Sequence, residues 1–296
     1  MFELLGIPPQ ALFGQLLLGL INGAFYAMLS LGLAVIFGLL NIINFTHGAQ
    51  YMMGAFVAWF LLNTGLGLGY WPALIVAPIA VGLFGILIER LFLRWIYKLD
   101  HLYGLLLTFG LALIVEGLFR QQYGSSGQPY AIPPELSGGH NLGFMFLPKY
   151  RAWVILASLL VCLATWFVIE KTRLGAYLRA GTENPQLTQA FGINVPVMVM
   201  LTYGFGVALA GFAGVLAAPA YQVNPLMGSH LIIVVFAVVV IGGMGSILGA
   251  IVTGLGLGVI EGLSKVFYPE ASSTVVFIIM IVVLMLRPAG LFGRES

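Results

Sequence analysis

The chain is a series of long apolar runs that are almost free of charged residues. Hydrophobic residues make up 60% of its 296 positions and charged residues only 7%, whereas a typical soluble domain has about 25% charged residues. A soluble fold of this size would have too little polar surface to cover it, and the mean hydropathy of +1.05 agrees. We therefore expect an all-α integral membrane protein, because a transmembrane barrel would show short alternating strands instead.

Apolar segments along the chain approach the length of about 20 residues that crosses a bilayer core. The first is long enough to tilt or to break before Asn41, and the second and seventh are short. We expect a polytopic bundle of eight or nine transmembrane helices, some broken, and ten if the first run is two pieces. The segments are Ala11–Leu40, Gly48–Leu62, Trp71–Ile88, Leu102–Phe119, Ala152–Ile169, Pro196–Ala220, His230–Ile241, Ile247–Val266 and Thr274–Leu286.

The distribution of basic residues predicts the orientation of the bundle. Eight of the twelve Lys and Arg residues lie in segments 89–101 and 170–195 and in the C-terminal tail. Because cytoplasmic loops are enriched in Lys and Arg, we expect these three segments inside the cell and the N-terminus outside. Segment 121–151, rich in Gly, Ser and Pro, would be an external loop. Segment 170–195 would be an amphipathic cytoplasmic loop, within a single transmembrane domain of residues 1–296.

Several classes of function have no support in the sequence. The net charge of +2 gives nucleic-acid binding no electrostatic basis. The single cysteine, Cys162, excludes an internal disulfide and a cysteine-built metal site, and no phosphate-binding loop, zinc-protease motif or nucleophile elbow is present. We therefore predict no catalytic residues, no metal and no cofactor bound by this chain. The first basic residue is Arg90, so we expect a permanent first span instead of a cleaved signal peptide.

Acidic side chains inside apolar runs need a partner or a function. Glu116 and Glu261 each have a basic residue four positions later, Arg120 and Lys265. This spacing brings two side chains to one face of a helix. An ion pair is the main interpretation in both cases, and a role in a transport pathway is the alternative.

The segment Asn41–Gln50 is the densest polar patch between two apolar runs, and it has no Lys or Arg. Its composition suits a helix break partly buried in protein. Two interpretations stay open, namely a turn capped by Asn44 or Thr46 and a break that lines a substrate pathway. The pathway candidates from the sequence are Asn22, Asn41, Asn44, His47, Gln50 and Glu116.

A glycine cluster, Gly242, Gly243 and Gly245, interrupts a later apolar run. Irregular backbone at membrane depth is tolerated only where it is buried in protein or lines a cavity. The main interpretation is a turn between two short helices, with a functional helix break as the alternative. The other glycines inside the spans are expected at close helix contacts.

Four stretches, in order along the chain, resemble membrane subunits of ABC importers of the branched-chain amino acid type. Leu174–Asn194 has an Arg-Ala pair, a Glu-Asn-Pro turn and an Ala-x-Gly-Ile-Asn ending, and it is similar to the coupling loop of these permeases. The other three stretches are Asn41–Gln50, Gly242–Ala250 and Arg287–Gly293. The whole chain resembles the smaller, LivH-like permease subunit.

The resemblance implies a multi-pass subunit in the bacterial inner membrane that assembles with several partners. These are a second permease subunit, related or identical, two cytoplasmic ATP-binding subunits that use the ATP, and an external solute-binding protein that provides most of the selectivity. Segment 170–195 would contact the ATPase through Arg179, Glu183 and Asn184. Small residues would permit close packing there, namely Ala180, Ala190 and Gly192.

The resemblance implies a permease for branched-chain or related amino acids, although importers of other amino acids, amides, urea or small carboxylates have the same type of subunit. The alternative function is a gradient-driven amino acid carrier or channel that works without an ATPase. The scarcity of acidic residues in the spans disfavours this alternative, because proton or ion coupling usually needs several of them.

Overall fold

The computed structural model describes residues 8–40, 42–64, 68–97, 99–143 and 145–293, and over these ranges the chain is mainly helical. The helices are α1 (Pro9–Leu40), α2 (Thr46–Asn63), α3 (Tyr70–Ile88), α4 (Arg94–Ile96), α5 (His101–Tyr123), α6 (Lys149–Lys171), α7 (Arg173–Glu183), α8 (Pro185–Ala190), α9 (Val195–Ala217), α10 (Met227–Gly242), α11 (Ile247–Phe267) and α12 (Val275–Leu286). A π-helical turn (Glu89–Leu93) joins α3 to α4. Two short strands, β1 (Gly139–Asn141) and β2 (Phe146–Pro148), form an antiparallel hairpin.

Each predicted span coincides with a helix, and the membrane-protein prediction is confirmed. Within the described ranges, six helices are long and apolar enough to cross a bilayer, and α10 and α12 are shorter apolar helices. The six are Pro9–Gly38, Tyr70–Ile96, His101–Tyr123, Lys149–Lys171, Val195–Ala217 and Ile247–Phe267. The first apolar run is one helix that ends at Leu40. The all-α expectation missed the β1–β2 hairpin, because three-residue strands are too short to show a period.

The two ends of the bundle are formed by different parts of the chain. At one end, which we call the strand end, residues 128 and 223 exchange backbone hydrogen bonds, so the loop after α5 meets the α9–α10 connection beside the β1–β2 hairpin. At the opposite end, which we call the α7 end, α7 and α8 lie with the α10–α11 turn and the C-terminal segment. Segment 170–195 thus forms two short helices, as its amphipathic pattern predicts.

Helix α1 is the central element of the bundle. In its most apolar stretch 83% of the residues are buried, against about a third in the corresponding stretches of α3, α5 and α6. Those three helices carry many exposed apolar side chains, which is the pattern of helices that face lipid. The helix that packs most extensively on α1 is α11.

Glycines let α1 and α11 come into backbone contact. Gly254, Gly258 and Gly262 recur every fourth residue and therefore share one face of α11. A Cβ at Gly258 would lie 2.3 Å from the Cα of Gly23, and one at Gly262 would lie 2.9 Å from the Cα of Gly19. Small residues permit this approach, which strengthens van der Waals packing in a membrane.

Helix α2 does not begin at the end of α1 but well inside the bundle. The Nε2 atom of His47 lies 3.0 Å from the carbonyl oxygen of Leu29, which is about three helical turns, or roughly 16 Å, before the end of α1. Gly32 leaves the space for this ring, because a Cβ there would lie 2.9 Å from His47 Cε1. The connection after α1 therefore turns back into the protein before α2 starts.

Helix α10 also begins inside the bundle, directly against the start of α2. A Cβ at Gly48 of α2 would lie 2.8 Å from the carbonyl oxygen of Gly228 of α10. From this contact α2 runs to the strand end, where Trp59 packs on Tyr123, and α10 runs to the α7 end. The two helices are 18 and 16 residues long and form an opposed pair of the kind that transporters build from broken helices.

The glycine contact predicts different effects of the same change at two positions of α11. Gly258→Ala forces a methyl group into the backbone of α1, which we expect to destabilise the protein by about 1–3 kcal/mol. Gly256→Ala is the matched control, because its Cβ would meet nothing within 4 Å and alanine favours a helix. Thermal unfolding of the detergent-purified variants measures both effects. Equal melting temperatures for Gly258→Ala and the unchanged protein would contradict the packing account.

Candidate functional site

A cavity of about 490 Å³ opens near the strand end between α1, α2 and α10. Its wall combines amide, phenol and apolar side chains. They are Asn22, Phe25, Tyr26, Tyr51, Tyr221, Gln222, Asn224, Met227 and Leu231. None of these described lining side chains carries a charge, so the wall of this strand-end cavity suits a polar solute without net charge.

Hydrogen bonds fix two of the tyrosines in the wall. The hydroxyl of Tyr221 donates to Asn22 Oδ1 at 3.1 Å, and the hydroxyl of Tyr26 donates to Glu261 Oε2 at 2.7 Å. Lys265 Nζ lies 2.6 Å from Glu261 Oε1, which confirms the predicted ion pair.

Below this cavity α1 and α10 close together in what we call the seam. Beside the Gly48–Gly228 contact there is no space for a water molecule, and the side chains that meet there are mainly apolar, such as Leu29 and Leu231, with His47 and Tyr51 among them. The next void, between Leu33 and Phe236, measures about 10 Å³, at the limit of a single water molecule. The seam therefore separates the strand-end cavity from the other end of the bundle.

A second cavity, of about 660 Å³, opens at the α7 end. Its wall brings together five parts of the chain, namely the ends of α1 and α6, helix α7, the α10–α11 turn and the C-terminal segment. The lining residues are Ala34, Val35, Gly38, Ile169, Glu170, Arg179, Thr182, Glu183, Met244, Gly245, Ser246, Ile247, Phe292 and Gly293.

The glycine cluster forms a turn between α10 and α11. Gly243 and Gly245 have φ angles of 99° and 85°, in the left-handed region that favours glycine. A Cβ at Gly243 would also lie 2.4 Å from the amide nitrogen of Gly293. The C-terminal segment is joined to the end of α10 here, because Phe292 N donates to the carbonyl oxygen of Gly242 at 3.1 Å.

In segment 170–195 all six sequence-predicted residues are exposed, namely Arg179, Ala180, Glu183, Asn184, Ala190 and Gly192. Two of them also hold the segment together. Arg179 Nη1 donates to the carbonyl oxygen of Ile169 at 3.0 Å and lies 3.7 Å from Glu170. Asn184 Oδ1 accepts from the backbone of Leu187 at 3.0 Å and caps α8, and Gly192 has a φ of 83° just after α8. Their contact with a partner stays a prediction.

Sequence reasoning missed two apolar side chains in the same segment. Leu187 is 55% exposed and Phe191 is 79% exposed. They stand four residues apart, the spacing that places them on one side of the α8 region. That spacing is the signal which the sequence offers for an apolar contact here.

The polar break before α2 is buried, as its composition predicts. Asn44, Thr46, His47 and Gln50 are at most 1% exposed. Asn44 Nδ2 donates to Gln50 Oε1 at 3.1 Å, and Gln50 Nε2 lies 3.5 Å from the hydroxyl of Tyr203, so these amides face α9. Neither Asn44 nor Gln50 lines either of the two large cavities, and their role in a pathway stays a prediction. Asn41 lies outside the described residues.

The predicted cap of α2 is wrong. Phe45 occupies the capping position, without a side-chain hydrogen bond. Thr46 instead donates to the carbonyl oxygen of Thr108 on α5 at 2.7 Å, and Thr108 Oγ1 accepts from Phe45 N at 3.2 Å. The break is thus held by a neighbouring helix, which a local capping rule does not consider.

The predicted Glu116–Arg120 ion pair is also wrong. Glu116 is buried and accepts a hydrogen bond from Ser229 Oγ at 2.5 Å, while Arg120 is exposed. Ser229 is in the first turn of α10, where the helix dipole favours a negative charge. Glu116 therefore joins α5 to the start of α10, and its role in a pathway stays a prediction.

Comparison with known proteins assigns the chain to a family. Residues 15–284 match the family model described as "Branched-chain amino acid transport system / permease component". The chain is 31% identical to the high-affinity branched-chain amino acid transport system permease protein BraD of Pseudomonas aeruginosa, covering 95% of this chain and 96% of that protein. It is likewise 31% identical to LivH of Escherichia coli K12, with the same coverage.

A second type of relative is more distant. The chain is 29% identical to the permease protein LivM of Escherichia coli K12 over 90% of its own length and 67% of that protein. No solved structure matches the chain. The match over nearly the whole sequence agrees with the helical membrane bundle, and the chain belongs to the permease component family of branched-chain amino acid transport systems.

Proposed function

We propose that the chain forms part of the membrane pathway of an ATP-driven importer for branched-chain or related amino acids. One observation carries the proposal. Helix α7 of segment 170–195 borders the α7-end cavity, and the seam between α1 and α10 separates that cavity from the strand-end cavity. A force on α7 would therefore act next to the residues that must part when a solute crosses. Alternating access requires such a connection, because one cavity opens as the other closes.

The proposed topology has nine membrane crossings, with the strand end outside the cell and the α7 end in the cytoplasm. This orientation is supported by basic residues at the α7 end, among them Arg90, Lys171 and Arg173. Cytoplasmic segments of membrane proteins are enriched in Lys and Arg. Helices α10 and α12 are short for a full crossing, but α10 starts inside the bundle and needs to reach only one surface. The membrane would be the plasma membrane.

We infer a set of partners from the relatives. The chain is similar both to proteins named LivH and to proteins named LivM, which supports a pair of related permease subunits around one pathway. One ATP-binding subunit would dock on segment 170–195 and a second on the corresponding segment of the paired permease subunit, and these two subunits would use the ATP. An external binding protein would deliver the solute to the strand end.

The contact with the ATP-binding subunits would combine apolar and polar groups. Phe191 and Leu187 provide the exposed apolar side chains, and Glu183 provides a charge at the edge of the α7-end cavity. Interfaces commonly depend on a few aromatic anchors surrounded by polar contacts. Movement of the docked segment would reach the seam through the α7-end cavity, whose wall contains Ala34 and Gly38 of α1.

The energy source separates this proposal from a gradient-driven carrier. We expect vesicles that contain the two permease subunits alone to show no concentrative uptake of labelled leucine, with or without a proton or sodium gradient. Addition of the ATP-binding subunits, the binding protein and ATP should produce uptake. Concentration of leucine by the permease subunits alone would contradict the proposal and favour a carrier.

The docking contact predicts that Phe191→Asp weakens the complex. Loss of an aromatic anchor commonly costs 2 kcal/mol or more, so we expect about thirtyfold weaker binding of the ATP-binding subunits. Phe146→Asp at the strand end is the matched control, because Phe146 is also exposed, at 60%. Copurification and ATP-dependent leucine uptake measure the effect. If the two variants copurify with the ATP-binding subunits and take up leucine equally well, Phe191 is not part of the interface.

A second change in the segment tests force transmission instead of docking. Glu183→Arg reverses a charge at the wall of the α7-end cavity. We expect ATP hydrolysis to continue while leucine uptake falls at least tenfold, because the altered contact no longer transmits movement to the seam. Uptake and hydrolysis are measured in the same vesicles, and an unchanged ratio of the two would contradict the role given to Glu183.

A further inference from the structure

One hydroxyl group in the strand-end cavity has nothing to bind. Tyr51 is only 1% exposed and lines the cavity, yet its hydroxyl has no hydrogen-bond partner among the described residues. The hydroxyl itself is not enclosed by protein and is accessible from the cavity. The other two tyrosines of the wall already donate hydrogen bonds within the protein, Tyr221 to Asn22 and Tyr26 to Glu261. Tyr51 is therefore a free polar contact of this cavity, together with the side-chain amide of Gln222, which also makes no hydrogen bond within the described residues.

The rest of the wall limits what Tyr51 can bind. A solute with net charge would lose its hydration without gaining an opposite charge, which is unfavourable. A zwitterion carries both charges itself and avoids a net charge in the cavity. The Glu261–Lys265 pair behind Tyr26 contributes no net charge either, because Lys265 Nζ lies 2.6 Å from the carboxylate.

The wall also offers contacts for the parts of such a solute. Phe25 and Tyr221 line the cavity, with their rings packed at 5.6 Å from each other, and aromatic rings can attract an ammonium group. Met227 and Leu231 supply an apolar surface near the start of α10. The free hydroxyl of Tyr51 is a donor for a carboxylate. At about 490 Å³ the cavity falls in the usual range for small-molecule sites.

We propose that the strand-end cavity is a solute-binding subsite of the permease itself, for a neutral zwitterionic amino acid with an aliphatic side chain, and that Tyr51 donates a hydrogen bond to its carboxylate. The proposal rests on the proposed transport function and goes beyond it. Selection by the membrane subunit would then follow selection by the external binding protein. Tyr51 also borders the closed contact between Gly48 and Gly228, where the seam begins. A solute bound to Tyr51 would therefore lie next to the closed part of the pathway.

The test measures binding without the external binding protein. The complete complex of permease and ATP-binding subunits, in lipid nanodiscs, is titrated with labelled leucine. We expect saturable binding that unlabelled isoleucine and valine displace and that lysine and glutamate do not. For Tyr51→Phe we expect at least about tenfold weaker binding, because a hydrogen bond to a charged group is lost. Its melting temperature should be unchanged, because the hydroxyl makes no bond within the described protein.

Tyr150→Phe is the matched control. The hydroxyl of Tyr150 donates to the carbonyl oxygen of Leu216 at 2.7 Å, and Tyr150 does not line the cavity. This variant should melt at a lower temperature and bind leucine normally. The two tyrosines thus separate loss of a solute contact from loss of a structural contact.

The outcomes distinguish the subsite from the transport function. If the complete system with binding protein and ATP takes up leucine, but the complex alone binds none or Tyr51→Phe binds it equally well, the subsite is refuted and the importer stands. If lysine or glutamate displaces leucine as effectively as valine does, the selectivity for amino acids without net charge is refuted. If the complete system takes up no leucine at all, the proposed function itself fails.

Discussion

Backbone contact between helices at glycine is the interaction on which this structure depends. Inside a bilayer, apolar side chains gain nothing by leaving lipid for another apolar surface, so helices associate through close van der Waals packing. Gly23 and Gly258 bring α1 and α11 together, and Gly48 and Gly228 bring the starts of α2 and α10 together. The second contact has a further consequence, because it places two helix starts in the interior, where the pathway has to open.

The central position of α1 links the parts of the candidate pathway. Its residue Asn22 lies in the wall of the strand-end cavity, Leu29 lies in the seam, and Gly38 lies in the wall of the α7-end cavity. Helix α10 follows the same course from Met227 to the glycine turn. Because α1 and α10 both run past the two cavities, a small change in the separation of these helices can open one cavity and close the other. A packed contact between helices has few intermediate arrangements, so such a change switches between two states.

Polar side chains in the interior mark the places where the helices are interrupted. Thr108 binds the segment before α2, and Glu116 binds the start of α10 through Ser229. Both side chains are on α5, which has a mostly exposed apolar surface otherwise. Interruptions of a helix free backbone and side-chain groups that lipid cannot satisfy, and a neighbouring helix supplies the partners. Local rules predicted other partners for Thr46 and Glu116 because they consider only residues nearby in sequence.

The sequence by itself determined the membrane class, the position of the helices, the glycine turn, the amphipathic segment 170–195 and the family resemblance. These features follow from composition, apolar run length and short motifs, which are local properties of the chain. Only the tertiary structure decided that Asn22 reaches a cavity while Asn44 and Gln50 face α9, that Tyr51 keeps a free hydroxyl, and that α2 starts against α10. The physical reason is that the partner of a buried polar group depends on which helix packs beside it, and that choice is made by glycine contacts between residues far apart in sequence.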